Sequence, residues 1–139
     1  MSLSSGKCVV VVDDEKSYCN LLSQLLNDSL GRQVLAFTSP HEALRALPGL
    51  EVGAVITDYH MPGINGVEFI RRAVPILPAV PFFIITGHPL MLTDEAVSEI
   101  AAVKAILPKP FNWRKLTELV VRHWPDAASR PTPAEFRSD

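Results

Sequence analysis

Residues 8–16 read "CVVVVDDEK", and four consecutive valines run directly into two adjacent carboxylates. An apolar run without polar alternation is typical of a strand buried on both faces, as in a parallel sheet covered by helices. Asp13 and Asp14 repel each other and are costly to place beside a core without a counter-charge. Two interpretations follow: the acids begin a loop and cap the next helix, or they bind a cation.

Length and composition restrict the class of protein. The 139 residues are 47% hydrophobic and 20% charged, which predicts one domain with a proper core. A formal net charge of −2 gives no basic field, so we expect no direct nucleic-acid partner. No apolar stretch approaches the ~20 residues of a membrane span, so we expect no membrane association. Cys8 and Cys19 are too few for a disulfide framework, which favours reduced thiols and a cytoplasmic protein.

Five apolar runs predict strands, and they alternate with segments of helical spacing. The predicted strands are Cys8–Val12, Val34–Phe37, Ala54–Thr57, Phe82–Ile85 and Val103–Leu107. The predicted helices begin at Glu15, after Ser39, after Asn65, after Thr93 and after Asn112, where most of the starting residues are good caps. This alternation favours an α/β fold with a parallel sheet between helices.

Composition also predicts the domain boundaries. Residues 1–6 are expected to be disordered or derived from cloning, residues 7–124 to form the domain, and residues 125–139 to be a flexible tail or linker. Prolines at intervals of three predict an extended, stiff connection before the fourth strand; they are Pro75, Pro78 and Pro81. The last helix carries an apolar stripe that includes Trp113 and Trp124. We expect most of this stripe to lie in the core and any surplus, especially Trp124, to be open to docking by a partner or a second copy.

Residues with reactive or ligating side chains follow four of the five predicted strands. They are Asp13 and Asp14 after the first strand, Asp58 after the third, Thr86 after the fourth and Lys109 after the fifth. Ligands of open parallel sheets bind outside the carboxyl ends of the strands, so these residues are predicted to form one site. Clustered carboxylates suit Mg²⁺, and carboxylate, Mg²⁺, lysine and hydroxyl together suit a phosphoryl group. An aspartate in such a site can attack phosphorus and become an acyl phosphate.

The sequence resembles the receiver domains of response regulators in bacterial two-component systems. The resemblance is carried by "VVVVDDEK", "AVITDYHMPGINGVEFI", "PFFIITGH" and "LPKPF", and it covers about residues 7–124. It implies a chemotaxis-regulator-like fold: a doubly wound, flavodoxin-like (βα)5 arrangement with a five-stranded parallel sheet of order 2-1-3-4-5 and helices on both faces. It also implies a signalling domain, not an enzyme, whose only chemistry is its own phosphorylation and dephosphorylation.

The resemblance assigns a role to each site residue. The implied metal ligands are Asp13, Asp14, Asp58 and the backbone carbonyl of His60. The implied reacting residues are Asp58 as phosphoacceptor, Lys109 as its cationic partner and Thr86 as the switch hydroxyl, with a cis peptide at Lys109-Pro110. The implied partners are a sensor histidine kinase or phosphotransfer protein and an unknown output domain or effector. A homodimer would use the face of the fourth helix, fifth strand and fifth helix.

The chain departs from the family pattern at Ile106, where an aromatic residue is usual three positions before the lysine. A β-branched residue suits a strand, but it cannot provide an aromatic readout, so an interaction module with weak or lost phosphate coupling stays an alternative. His60 and His88 flank, by resemblance, the path of the hydrolytic water. An aspartate-based phosphatase is a less favoured alternative, because such enzymes use Asp-x-Asp where this chain has Asp58-Tyr59-His60.

Overall fold

A computed structural model describes residues 7–87, 97 and 99–125 of the chain. The strands are β1 (Cys8–Val12), β2 (Val34–Phe37), β3 (Val52–Asp58), β4 (Phe82–Thr86) and β5 (Val103–Pro108). The helices are α1 (Lys16–Leu30), α2 (Pro40–Ala46), α3 (Gly66–Ala73) and α4 (Trp113–Arg122), with a short 3-10 turn at Leu47–Gly49. The helix start predicted at Thr93 and the position of His88 lie outside the described residues.

The five strands form one parallel sheet in the order β2-β1-β3-β4-β5, which confirms the predicted fold class. The valine side chains of β1 pack on both faces of this sheet. Val10 and Val12 join the core under α2 and α3, whereas Val9 and Val11 join the core under α1 and α4. All five β1 residues are buried, so a polar residue at any position of the run would face a core. This explains the absence of polar alternation.

The predicted helix caps are present at three helices. Ser39 accepts a hydrogen bond from the Glu42 backbone N–H, and Asn65 accepts one from Glu68. The Asn112 side chain accepts from the backbone N–H groups of Arg114 and Lys115. Each cap satisfies N–H groups of a first helical turn that have no partner within the helix. The capping signals in the sequence therefore place these helix starts correctly.

The proline-containing connection before β4 is not extended, contrary to the prediction. It forms consecutive turns in which the N–H groups of Ile76 and Leu77 donate to the Ala73 carbonyl, and the Val80 N–H donates to Leu77. Proline fixes its own φ and removes its own donor, but the residues between the prolines keep their N–H groups and can close turns. Leu77 and Val80 are buried, so these turns also complete the core.

The prediction that Trp124 docks a partner is wrong. Its side chain is only 3% exposed and lies over Gly53 of β3, where an added Cβ would be 2.3 Å from the indole ring. The missing side chain of Gly53 provides the space that the ring fills. Trp113 is the tryptophan at the surface, with 36% exposure. Within the described part of the chain, no helix is long and apolar enough to span a membrane.

Candidate functional site

The structure brings four predicted charged residues together at the carboxyl edge of the sheet. Asp58 is the last residue of β3, and Asp13 and Asp14 follow β1 directly. Carboxylate oxygens of these three residues lie within 4.8 Å of one another. Lys109 follows β5, and its Nζ lies 3.2 Å from Asp13 Oδ2 and 3.5 Å from Asp58 Oδ1. The parallel register of the strands thus converts distant sequence positions into one cluster.

Lys109 is fixed by its backbone as well as by its ammonium group. Its N–H donates to the Thr86 carbonyl at 2.8 Å, which ties the lysine to the end of β4. The Lys109-Pro110 peptide is cis, as the resemblance implied. Beyond the two aspartates, Nζ lies 3.5 Å from the Glu15 carboxylate and 4.1 Å from the centre of the Tyr18 ring. The ammonium is therefore enclosed by three carboxylates and one aromatic face.

Burial makes the carboxylate cluster electrostatically unfavourable when it is fully ionised. Asp13 is 1% exposed and Asp58 is 7% exposed. Burial raises the pKa of Asp13, and burial followed by the charge of Asp13 raises the pKa of Asp58, although Lys109 opposes both shifts. Burial alone would lower the pKa of Lys109, but its carboxylate neighbours outweigh burial and raise it. Lys109 alone therefore does not neutralise the three aspartates, and a second cation would stabilise their ionised forms.

The donor set fits a hard divalent cation. The cluster consists of three carboxylates, two of them buried and the third, Asp14, exposed at the rim. Oxygen ligands with one side open to water are what Mg²⁺ prefers in proteins, because it usually keeps several waters. The His60 side chain is exposed, and its ring lies edge-on against Tyr59 with centroids 4.7 Å apart. The imidazole lies outside this carboxylate cluster, and ligation by the His60 carbonyl stays a prediction.

The backbone around Asp58 is held in place by its neighbours. Asp58 Oδ1 accepts a hydrogen bond from the Tyr59 N–H at 3.0 Å, and the Asp58 carbonyl accepts one from the Thr57 hydroxyl. The Gly66 N–H donates to the Tyr59 carbonyl, and a Cβ at Gly66 would lie 2.5 Å from the Asp58 carbonyl oxygen. Glycine at position 66 therefore allows the start of α3 to approach the backbone of Asp58 and Tyr59.

Thr86 is the last residue of β4 and is fully buried, paired in register with Pro108 of β5. It thus lies at the carboxyl edge of the sheet, as predicted, one strand away from Asp58.

A shallow hollow of about 480 Å³ opens beside the loop that follows β3 and is lined by Tyr59, His60, Met61, Pro62 and Asn65. A groove of about 700 Å³ lies near the opposite edge of the sheet, around the turns before β4, and contains none of the predicted site residues.

Two neighbours of Lys109 were not assigned to the site from the sequence. Glu15 belongs to the same acidic run as Asp13 and Asp14, which is the signal that could have found it. Tyr18 was interpreted only as part of the apolar stripe of α1. Its position four residues after Asp14 places it one helical turn from the rim, but spacing alone does not predict contact with a lysine 91 positions later.

The fold and the site together define a doubly wound α/β protein with a carboxylate and lysine site at the carboxyl edge of its sheet. The family described as response regulator receiver domain matches residues 9–121. The chain belongs to this family. It is a receiver domain of the two-component response regulators, and a receiver domain is a signalling domain.

Named relatives and solved structures agree with this assignment. The chain is 37% identical over 113 residues to the transcriptional regulatory protein FixJ of Bradyrhizobium diazoefficiens, covering 81% of this chain and 54% of FixJ. It is 33% identical to the C4-dicarboxylate transport transcriptional regulatory protein DctD of Rhizobium meliloti, covering 84% of this chain and 25% of DctD. The chain thus spans about half, or less, of these two relatives.

Among solved structures, a response regulator receiver domain protein from Clostridium thermocellum superposes with a TM-score of 0.74 at 27% identity, covering 84% of this chain and 93% of that one. The response regulator TrrA of Thermotoga maritima, crystallised in complex with Mg²⁺-BeF, gives a TM-score of 0.75 at 26% identity and covers 84% and 98%.

Proposed function

We propose that Asp58 accepts a phosphoryl group from a sensor histidine kinase or phosphotransfer protein, with Mg²⁺ bound in the acidic site, and that phosphorylation controls an output domain or effector. The observation that carries the proposal is the buried Asp58 carboxylate 3.5 Å from Lys109 Nζ, beside Asp13 and Asp14. Family membership and the Mg²⁺-BeF complex of the related TrrA support it.

The reaction is a displacement at phosphorus. A carboxylate oxygen of Asp58 attacks the phosphorus atom, the new O–P bond forms, and the bond from phosphorus to the donor breaks with its electron pair leaving on the donor. Lys109 neutralises charge that develops on the phosphoryl oxygens, and Thr86, at the end of the neighbouring strand, is proposed to donate a hydrogen bond to one of them. Held by Asp13, Asp14, Asp58 and the His60 carbonyl, Mg²⁺ would supply further neutralisation of those oxygens.

The Asp58 carboxylate is held in place by its neighbours, which favours this attack. The Tyr59 N–H donates to Asp58 Oδ1, the oxygen that also lies nearest to Lys109. Backbone hydrogen bonds hold both of these neighbours: the Gly66 N–H donates to the Tyr59 carbonyl, and the Lys109 N–H donates to the Thr86 carbonyl. Fixing the carboxylate reduces the entropy lost on reaching the transition state.

The remaining assignments belong to the same proposal. Residues 7–124 act as the receiver, whereas the segments expected at residues 1–6 and 125–139 lie, apart from residue 125, outside the described residues. The proposed compartment is the cytoplasm, which suits the buried free thiols of Cys8 and Cys19 in the described structure. We propose no direct contact of this domain with nucleic acid or membrane, and a homodimer through the face that includes β5 and α4.

Ile106 supports a second candidate, an interaction module whose response to phosphate is weak. The residue pairs with Ile84 in the β4–β5 register and packs partly buried against the core under α2 and α3. Ile is smaller than an aromatic residue and stiff about its first torsion, so it offers little difference in packing between two states. Under this candidate the chemistry at Asp58 is retained and only its transmission is reduced.

Intact-mass spectrometry tests the proposed chemistry. The full chain, incubated with Mg²⁺ and a small acyl phosphate such as acetyl phosphate, should gain one phosphoryl mass, and Asp58→Asn should gain none. Asp28→Asn is the matched control, because Asp28 is an exposed carboxylate on α1 away from the cluster. Equal labelling of the wild type and Asp58→Asn would refute the assignment of the acceptor.

A further inference from the structure

Tyr18 of α1 lies directly against the lysine of the site. Lys109 Nζ is 4.1 Å from the centre of the Tyr18 ring, which is within the range of a cation–π contact. Tyr18 also contacts Phe111, with ring centroids 5.9 Å apart and planes at 77°. Phe111 comes two residues after Lys109, so Tyr18 contacts both the ammonium group and the segment that carries it.

The ring and the hydroxyl of Tyr18 have different surroundings. The phenolic oxygen is buried and lies near the Phe111 backbone, but it makes no hydrogen bond of ordinary geometry with any of the described residues. A buried phenol without a partner is unfavourable compared with a phenylalanine of the same shape. The hydroxyl therefore adds nothing to the site, whereas the ring packs on Phe111 and the core under α1 and α4 and presents a face to the Lys109 ammonium.

The ring also differs in kind from the other neighbours of Lys109. Asp13, Glu15 and Asp58 attract the ammonium at fixed oxygen positions, at 3.2 to 3.5 Å. An aromatic face attracts a cation over a broad area and does not use up a hydrogen-bond donor of the cation. The ammonium can thus turn its donors toward phosphoryl oxygens next to Asp58 while it stays in contact with the ring.

We propose that Tyr18 is a positioning residue for Lys109, whose aromatic face holds the ammonium beside Asp58 during phosphoryl transfer. The inference rests on the proposed function of the site and adds to it a residue of α1. It assigns the role to the ring and not to the hydroxyl. It also assigns the effect to the lysine alone, so that without Lys109 the ring should make no difference to the rate.

The test measures the initial rate of phosphorylation of the full chain by acetyl phosphate with Mg²⁺. Tyr18→Leu should lower the rate by roughly three- to tenfold, the size expected for loss of one partly desolvated cation–π contact. Tyr18→Phe keeps the ring and should restore the wild-type rate. The matched control is Leu21→Ala, which removes a 49% exposed side chain from the next turn of α1 and should leave the rate unchanged.

A double-mutant cycle separates positioning from a general structural role. In a Lys109→Ala background, Tyr18→Leu should cause no further loss of rate, whereas damage to the fold would lower the rate in both backgrounds. Thermal unfolding of each variant checks that the fold is kept. A phosphorylation rate of Tyr18→Leu equal to that of the wild type would overturn the inference. So would an equal loss of rate with and without Lys109. Failure of the wild type to label would instead overturn the proposed function.

Discussion

Replacing Gly53 by alanine should destabilise the domain without changing its phosphorylation chemistry. The new Cβ would lie 2.3 Å from two atoms of the Trp124 indole, where carbon atoms normally approach to ~3.5–4.0 Å. The ring, which is 3% exposed, would have to retreat by more than ~1 Å into a packed core. Overpacking of this kind costs about 1–3 kcal/mol, and the entropic gain of alanine over glycine offsets about 0.4–1 kcal/mol of it.

The net loss of about 1–2 kcal/mol should lower the Tm by roughly 3–10 °C, measured by thermal unfolding followed by circular dichroism. Gly49→Ala is the matched control, because an added Cβ there meets nothing within 4 Å. Labelling by acetyl phosphate should be unchanged, since Gly53 is five residues along β3 from Asp58, about 17 Å at strand spacing. Trp124→Leu should cost less stability in the Gly53→Ala background than alone. An unchanged Tm for Gly53→Ala would refute the packing argument.

Two further predictions concern the site itself. Because the pKa of Asp58 is raised in the folded state, stability should fall as pH rises from the ordinary carboxyl range through the raised pKa. Asp58→Asn should therefore raise the Tm at neutral pH in metal-free buffer, with the gain disappearing in acid; a gain independent of pH would contradict this. Gly66→Ala should slow phosphorylation at least about tenfold, because its Cβ would lie 2.5 Å from the Asp58 carbonyl oxygen and displace the backbone of Asp58 and Tyr59. An unchanged phosphorylation rate would contradict this prediction.

Much of the fold was predictable because buried parallel strands have a strong sequence signal. The run of β1 predicted a strand covered on both faces, and the structure shows its valines divided between two cores. Caps at Ser39, Asn65 and Asn112 were predictable since one side chain satisfies nearby N–H groups, which is a local interaction. The gathering of Asp13, Asp58 and Lys109 followed from the same logic, because parallel strands end at one edge.

Most of the parts that sequence did not predict depend on contacts between distant segments. The burial of Trp124 needs the gap at Gly53, which lies on another element and cannot be read from the stripe of α4. The contact of Tyr18 with Lys109 depends on how the segment after β5 returns over α1. The turns before β4 are local, but they are closed by the N–H groups of the residues between the prolines, which the proline spacing does not reveal. In each case the deciding partner lies outside the pattern that supported the prediction.

Ile106 leads to the last prediction, which concerns transmission rather than chemistry. A two-state domain shifts only as far as phosphate binds one state better than the other, so a small packing difference at position 106 limits the response. Ile106 already packs partly buried beside Ile84, and tyrosine there would provide a larger group that changes position between the states. We therefore expect small amide NMR shifts across Ala102 to Leu107 when beryllofluoride and Mg²⁺ are added to the wild type, and larger ones in Ile106→Tyr. Labelling by acetyl phosphate should be the same in both, because residue 106 lies outside the carboxylate cluster. Large shifts in the wild type that Ile106→Tyr leaves unchanged would show that another part of the domain carries the response.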